Sequence, residues 1–373
     1  MGFYNNNRIL QHKAELEKIE SNRASECIPI HVRIEPTEVC NFRCSFCWWH
    51  NDRKRSTLAS FNFTGKQSMG RDRLLRLIDE LAELGTKACS FTGAGDPLMY
   101  PYMAQVLKRV RDNRLAFGVT SNLAMPMSDE LISILVKGNW LRWSMNAGTL
   151  ETYSAVNNPR AADTAAVFSR VKENVRRVND ARKQNGERMD FNASYVITHG
   201  NQGDLLQACH LAKELGLDGI SFRPDLPIQR QQEHNGYNED VILDIRKAQN
   251  HIQTKTFAIH ADIERQQDGV TIKDDKLVCF YANHTAYVDA HGDVYPCCYT
   301  RYHSRYVIGN ILDRSFSKFW FDSTQRQFYR KLVQKTCPAC SYGLINEILK
   351  PLYLHEIRAE DAFVESQQKD FFI

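Results

Sequence analysis

The run Ile30-His-Val-Arg-Ile-Glu-Pro-Thr-Glu-Val-Cys40-Asn-Phe-Arg-Cys44-Ser-Phe-Cys47-Trp48 decides how this chain is read. Its first eight residues, 30–37, read as a β-strand, and three cysteines follow directly in the spacing C-x3-C-x2-C. Thiolates are the usual protein ligands of iron–sulfur clusters, and a complete set is four. Three thiolates packed this closely can hold a four-iron cluster and leave one iron without a protein ligand, which is an open site for chemistry. Zinc is the alternative occupant of a cysteine cluster. Tetrahedral zinc sites usually come as two separated CxxC or CxxH pairs, however, and this is one triplet.

Outward from that loop, strands alternate with helices. Apolar residues at helical spacing over 72–84 (Leu74, Leu75, Leu77, Ile78, Leu81, Leu84) predict a helix that stops at Gly85. Further strands are expected at 87–93, 115–122, 141–146, 190–198 and 218–224, and helices at 103–112, 129–137, 162–182 and 204–215. This rhythm means parallel βαβ units with right-handed crossovers. Six units fit an α/β fold, an open partial (β/α)6 TIM-like barrel, whose chemistry sits on the loops after the strands. The cysteine loop lies in such a position. After residue 230 the rhythm breaks into a polar stretch at 229–236 and a helix near 239–252. From residue 277 the texture changes to short strands around Gly292, aromatic helices at 316–321 and 325–333, Cys337-Pro-Ala-Cys340, and a charged helical segment over 343–369. The expected division is a helical lead-in at 1–29, the barrel at 30–235, a connecting helical region at 236–276, and a small C-terminal α+β cluster-binding domain with its final helix at 277–373.

Composition narrows the function classes. A formal charge of +4 from 48 basic and 44 acidic residues leaves no polybasic tail, so no nucleic-acid partner is implied. The start, Met-Gly-Phe-Tyr-Asn-Asn-Asn-Arg, fits neither a signal peptide nor a myristoylation pattern, and no apolar run is long enough for a membrane span. Eleven cysteines without an export signal argue for a reducing, cytoplasmic setting and for metal ligation rather than disulfides.

The triplet Cys40, Cys44, Cys47, with the aromatic Phe46 before its third member, resembles the signature of the radical S-adenosylmethionine (SAM) enzymes. The resemblance extends along the barrel. Gly93-Ala-Gly-Asp-Pro97 looks like that family's GGEP segment, with Ala94 for the motif's first glycine and Asp96 for the glutamate, and implies a turn (Gly93, Ala94, Gly95, Asp96) that holds the SAM ammonium group. Asn122, Ser144 and Asn146 stand at strand ends where the family contacts the ribose or methionine carboxylate. Asn146 occupies a position the family gives to Asp. Helix capping is the alternative role for such side chains. The resemblance implies a [4Fe-4S] cluster with an open site, SAM bound to it, reductive cleavage to a 5′-deoxyadenosyl radical, and hydrogen abstraction from substrate. An external one-electron donor such as flavodoxin or ferredoxin is implied with it.

Cys279, Cys297, Cys337 and Cys340 resemble the Twitch/SPASM-like extension of the same enzymes and imply one auxiliary [4Fe-4S] cluster. A four-cysteine zinc ribbon is the alternative. A fully ligated cluster serves as electron acceptor or relay, which points to dehydrogenation, decarboxylation or epimerisation of a sugar- or alcohol-like small molecule. Cys298, next to Cys297, is a candidate hydrogen donor for the epimerising variant, against a packed thiol. Two rivals stand beside this reading. One is maturation of a ribosomally made peptide, for which the 29 residues before the first strand are too short to form a leader-binding domain. The other is a non-catalytic zinc-stabilised binding protein.

Overall fold

The computed structural model describes residues 6–51, 62–225, 238–261, 263, 279–322, 342–366 and 371–373. A lead-in helix α1 (Lys13–Glu20) precedes the sheet. Seven strands then run parallel, each paired with the next: β1 (His31–Ile34), β2 (Ala88–Phe91), β3 (Ala116–Ser121), β4 (Trp140–Ser144), β5 (Asp190–Ile197), β6 (Gly219–Pro224) and β7 (Ala258–Ala261). The connecting helices are α2 (Arg71–Leu84), α3 (Met103–Asp112), α4 (Asp129–Leu135), α5 (Leu150–Val156), α6 (Thr164–Gln184), α7 (Leu205–Glu214) and α8 (Glu239–His251). Their starts and stops have local causes. Side chains of Ser128, Thr149, Asp163 and Asn238 accept hydrogen bonds from the first turns of α4, α5, α6 and α8. Gly85 ends α2 at φ +97°, a conformation that suits glycine.

Three further strands, β8 (Thr285–Val288), β9 (Asp293–Tyr295) and β10 (Gly309–Asn310), extend the same sheet. β8 lies parallel to β1, so the order across the sheet is β10-β9-β8-β1-β2-β3-β4-β5-β6-β7, and it does not close. The C-terminal region is thus joined to the barrel through main-chain hydrogen bonds. It continues through α9 (Phe316–Asp322), α10 (Gly343–Tyr353) and α11 (Ala359–Ala362). Leu349 and Leu352 of α10 meet Ile9, Leu16 and Ile19 of the lead-in in a second core.

Two expectations are corrected. The region 236–276 holds a strand, β7, as well as its helix; Ala-Ile-His-Ala is too short and too mixed to announce one. The helix expected over 343–369 breaks into α10 and α11, because Pro351 stands in the last turn of α10 and His355 adopts φ +57°. The aromatic helix expected at 325–333 lies outside the described residues.

The two faces of the strands differ in chemistry. Outward residues such as Val32, Ile34, Phe91, Val119, Leu141 and Trp143 are buried in the main core under the helices. Residues of opposite parity face the lumen and many are polar: Arg33 and Glu35, Thr120, Arg142 and Ser144, Ser194, Ser221 and Arg223, with Gly118, Trp140 and Val196 among them. Arg33, Thr120, Arg142, Ser144, Ser194 and Arg223 keep partial solvent access, so the lumen is a chamber rather than a filled core.

Gly118 lines this chamber beneath the Trp140 indole, and a Cβ there would lie 2.0 Å from the ring. Gly118→Val is expected to lower stability by about 1–3 kcal/mol by displacing Trp140. Urea denaturation followed by tryptophan fluorescence measures it.

Candidate active site

The cysteine loop is held from both sides. On one flank, Arg43 N–H donates to Asn158 O (3.0 Å), Ser45 N–H to Val156 O (2.8 Å) and Arg160 N–H to Asn41 O (2.9 Å), and Phe42 bridges to Pro159. This strap follows α5, a helix that sequence reading missed; the clue available was Asn157-Asn158-Pro159, a turn signal directly after it. On the other flank lies Glu38, whose side chain is fully buried. Its Oε2 accepts from the main-chain N–H groups of Thr64, Gly65, Lys66 and Gln67 (2.8–3.3 Å), and its Oε1 pairs with His291 Nε2 at 2.8 Å. Burial alone would raise this carboxyl, but the bonds from Thr64, His291 and Gln67 outweigh it and hold it below the ordinary range.

Glu35, one residue past β1, makes the second tie. Tyr287 and Tyr302 hydroxyls donate to its two oxygens, and Ala94 N–H donates to Oε2 at 2.9 Å. Burial raises its carboxyl, against the pull of the Arg301 charge and these donors. The glycines of 93–95 serve the same junction. A Cβ on Gly95 would lie 2.3 Å from Thr37 O and 2.5–2.7 Å from the backbone of Glu38 and Val39. One on Gly93 would lie 2.3 Å from the Glu35 side chain. The turn therefore sits directly on the root of the cysteine loop.

Cys40, Cys44 and Cys47 are half-buried and close enough to sense one another's charge. Burial, with the neighbouring acidic groups, pushes the Cys40 thiol up to about 12 and Cys44 well above its usual value. Three thiols gathered this way suit a strongly cationic centre, which deprotonates its ligands outright. His50 N–H donates to Cys47 Sγ (3.3 Å), and Asn122 Nδ2 lies 3.9 Å from Cys40 Sγ, so donors to the sulfurs are already in place. The donor set fits an iron–sulfur cluster.

The remaining predicted residues divide. Gly93 and Ser144 keep access to the chamber, and Phe46 is half-buried on the loop. Asp96, Asn122 and Asn146 are buried braces. Asp96 accepts from Ser121 Oγ (2.8 Å), Asn122 N–H (2.6 Å) and Leu98 N–H (2.9 Å), tying the β2 loop to the end of β3. Asn122 Nδ2 donates to Asn41 Oδ1 (2.7 Å), and its Oδ1 accepts from Ala124 N–H. Asn146 adopts φ +54°, accepts from Val196 N–H (2.9 Å) and donates to Asn157 (3.3 Å). Trp49 and His50, which follow the cysteine triplet, are buried; Trp49 packs on Tyr302 (4.7 Å) and His50 Nε2 contacts Glu38 O (2.9 Å).

In the C-terminal region Cys279 and Cys297 are half-buried, while Cys337 and Cys340 lie outside the described residues. Cys298 Sγ lies 3.2 Å from Tyr342 Oη, near the charges of Arg33 and Arg301. Cys27, Cys89 and Cys209, outside both cysteine motifs, are fully buried. Glu35, Glu38, Tyr287, Tyr302 and Arg142 escaped sequence reading, although an acid at each end of Glu35-Pro-Thr-Glu38, beside a metal loop, was a visible signal.

Comparison with known proteins gives the family. Residues 34–227 match the model of the radical SAM superfamily, and residues 279–341 match that of an iron–sulfur cluster-binding domain, SPASM. The cofactor-modifying protein of the tungsten-containing aldehyde ferredoxin oxidoreductase of Pyrococcus furiosus is 20% identical over 337 residues, 83% of this chain and 87% of that protein. The dTDP-4-amino-4,6-dideoxy-D-glucose ammonia-lyase of Streptomyces venezuelae is 24% identical over 208 residues, 53% of this chain but 40% of that one. Streptococcus suis SuiB bound to its precursor peptide SuiA shares the fold, with a TM-score of 0.62 at 14% identity, over 88% of this chain and 75% of that one.

Gly95→Ala is expected to push the cysteine loop off the turn and to reduce iron incorporation at least twofold after anaerobic reconstitution, read by iron analysis. A second expectation concerns Asp289, at the end of β8. Burial, with Asp293 and Glu35 nearby, raises its carboxyl to about 8. The folded state then keeps a proton that the unfolded chain releases near pH 4, so stability falls as pH rises from about 4 to 8. Asp289→Asn should flatten this slope in urea titrations, with wild type losing ground to the variant until about pH 8.

Proposed function

The chain belongs to the radical SAM superfamily, and on that premise we propose that it takes a hydrogen atom from a small molecule held in the barrel lumen. Its cofactors are the SAM-binding [4Fe-4S] cluster, SAM and an auxiliary [4Fe-4S] cluster. Bound here, they supply one-electron cleavage of SAM to a hydrogen-abstracting 5′-deoxyadenosyl radical and, in the auxiliary cluster, a one-electron acceptor or relay. In this reading Cys40, Cys44 and Cys47 are the ligands at the first centre, and Cys279, Cys297, Cys337 and Cys340 those at the second. The main chain of Gly93, Ala94 and Gly95 receives the SAM ammonium group, with Ser144 and Phe46 as further contacts. Asp96, Asn122 and Asn146 act by fixing the loops, since their polar atoms already bond within the protein.

The observation that carries this reading is the polar, partly accessible lumen lying next to the cysteine loop. An apolar outer face under helices shields it from bulk water, which a reactive radical requires. A chamber lined by single side chains from several strands suits a compact substrate. Loss of the substrate's remaining electron to the auxiliary centre makes the net change an oxidation. An elimination retains that electron, and the name of the Streptomyces relative describes such a lyase. The electron enters from an external donor such as flavodoxin or ferredoxin.

The test is iron and 5′-deoxyadenosine after anaerobic reconstitution with dithionite and SAM. Two four-iron centres require about eight irons per chain. Replacing Cys40, Cys44 and Cys47 with Ala should leave about four and lower 5′-deoxyadenosine at least a hundredfold. Unchanged cleavage in that variant would overturn the assignment. Turnover of a leader-bearing peptide, with no turnover of small molecules, would replace the substrate class.

A further inference from the structure

The cysteine loop and the segment after Cys297 meet in one packed contact. Trp49 follows Cys47 closely in the chain and is buried, and its indole lies against the Tyr302 ring with centroids 4.7 Å apart. Cys47, Trp48 and Phe63 pack on the cluster that these two rings form with Ala94. Tyr302 in turn stands shortly after Cys297, on a segment tied back to that cysteine. Thr300 Oγ1 donates to Cys297 O at 2.8 Å and lies 3.9 Å from Cys297 Sγ, and Thr300 N–H donates to Cys297 O at 3.2 Å. A continuous path of bonds, hydrogen bonds and touching rings therefore runs from Cys47 to Cys297.

The contact is also held in place on every side. Phe63 closes one flank, 5.5 Å from each ring. The Arg301 guanidinium lies over the Trp49 ring at 5.0 Å and over the Tyr287 ring at 5.5 Å. The hydroxyls of Tyr302 and Tyr287 both donate to Glu35, at the root of the cysteine loop. Aromatic pairs at this spacing are common core packing. This pair differs in linking two segments that each carry cysteines read as cluster ligands. Electron tunnelling weakens steeply across empty gaps and far less through bonds and close contacts. A dry, touching pair of π-systems is the path it favours.

We propose that the Trp49–Tyr302 contact carries the electron between the centre at Cys40, Cys44 and Cys47 and the auxiliary centre at Cys297. This rests on reading the auxiliary cluster as an electron acceptor or relay. One electron leaves one centre and arrives at the other. No bond forms or breaks, no proton moves, and both rings stay neutral. Trp49 and Tyr302 act as positioning residues, by closing the gap that the electron crosses.

The test follows the auxiliary centre directly. Anaerobically reconstituted protein is reduced with dithionite, freed of excess reductant, mixed with SAM and frozen at timed intervals for electron paramagnetic resonance. SAM cleavage draws its first electron from the centre that binds SAM, and the auxiliary centre then refills it. Wild type should lose the auxiliary signal in a second phase. Trp49→Leu should slow that phase at least tenfold relative to the first, and Trp49→Phe, which keeps a ring, about threefold. Phe63→Leu, which loosens the same cluster away from the direct contact, should stay within about twofold of wild type. Iron per chain, about eight for two four-iron centres, and urea unfolding midpoints are measured on every variant. The proposal fails if both Trp49 variants transfer at the wild-type rate, or if Phe63→Leu slows transfer as much as Trp49→Leu. It fails equally if slowing appears only together with lost iron; should Trp49→Leu lose iron, Trp49→Phe decides. Persistence of the auxiliary signal in wild type would remove the relay reading itself, whereas wild-type transfer that survives in both Trp49 variants would remove the path alone.

Discussion

The cysteine loop depends on two buried carboxylates. A loop that carries three thiols toward one point has no regular secondary structure to hold it, and its strand ends at Ile34. Glu35 and Glu38 provide the missing anchorage by accepting hydrogen bonds from segments far away in sequence. Glu35 joins the root of the loop to Ala94 on the β2 turn and to Tyr287 and Tyr302 of the C-terminal region. Glu38 joins it to 64–67 and His291. Burying a carboxylate is costly unless its oxygens are satisfied. The geometry therefore holds only when all these segments are folded together. Placement of the loop, of the 93–95 turn and of the C-terminal region becomes a single cooperative property.

The same sheet separates two tasks by parity. The outer positions make a dry core, while the inner face carries most of the polar side chains and stays partly open. Gly118 and Trp140 show how the lumen is shaped. The absence of a side chain on one strand lets an indole from the next lie flat, and the indole supports Arg142.

Most of the barrel was legible in sequence. Apart from α5, the helices from 71 to 251 were expected from the alternation of apolar-periodic segments with strands, and the strands from 88 to 224 from the runs between them. What failed was short or depended on distant partners. β7 has four residues, and α5 has seven with one buried face. The pairing of β8 with β1 joins residues about 250 positions apart, which no local pattern reports. At the site, the cysteines were legible because metal ligation demands fixed residue types at fixed spacing. Asp96, Asn122 and Asn146 were legible as important but not in their manner of acting. Motif resemblance points to a position without saying whether its polar atoms face a ligand or the protein.

The pairing of β8 with β1 also changes where the sheet ends. An open sheet leaves main-chain donors and acceptors exposed along its outermost strands, and such edges invite other chains to add to them. Without β8, that vulnerable border would be β1, the strand that leads into the cysteine loop. With β8 and β9 added, the border on this side passes to β10, a strand of two residues. A segment so short offers little template for another chain. The C-terminal region therefore also acts as a selvedge, keeping the strand that feeds the reactive centre in the interior of the sheet.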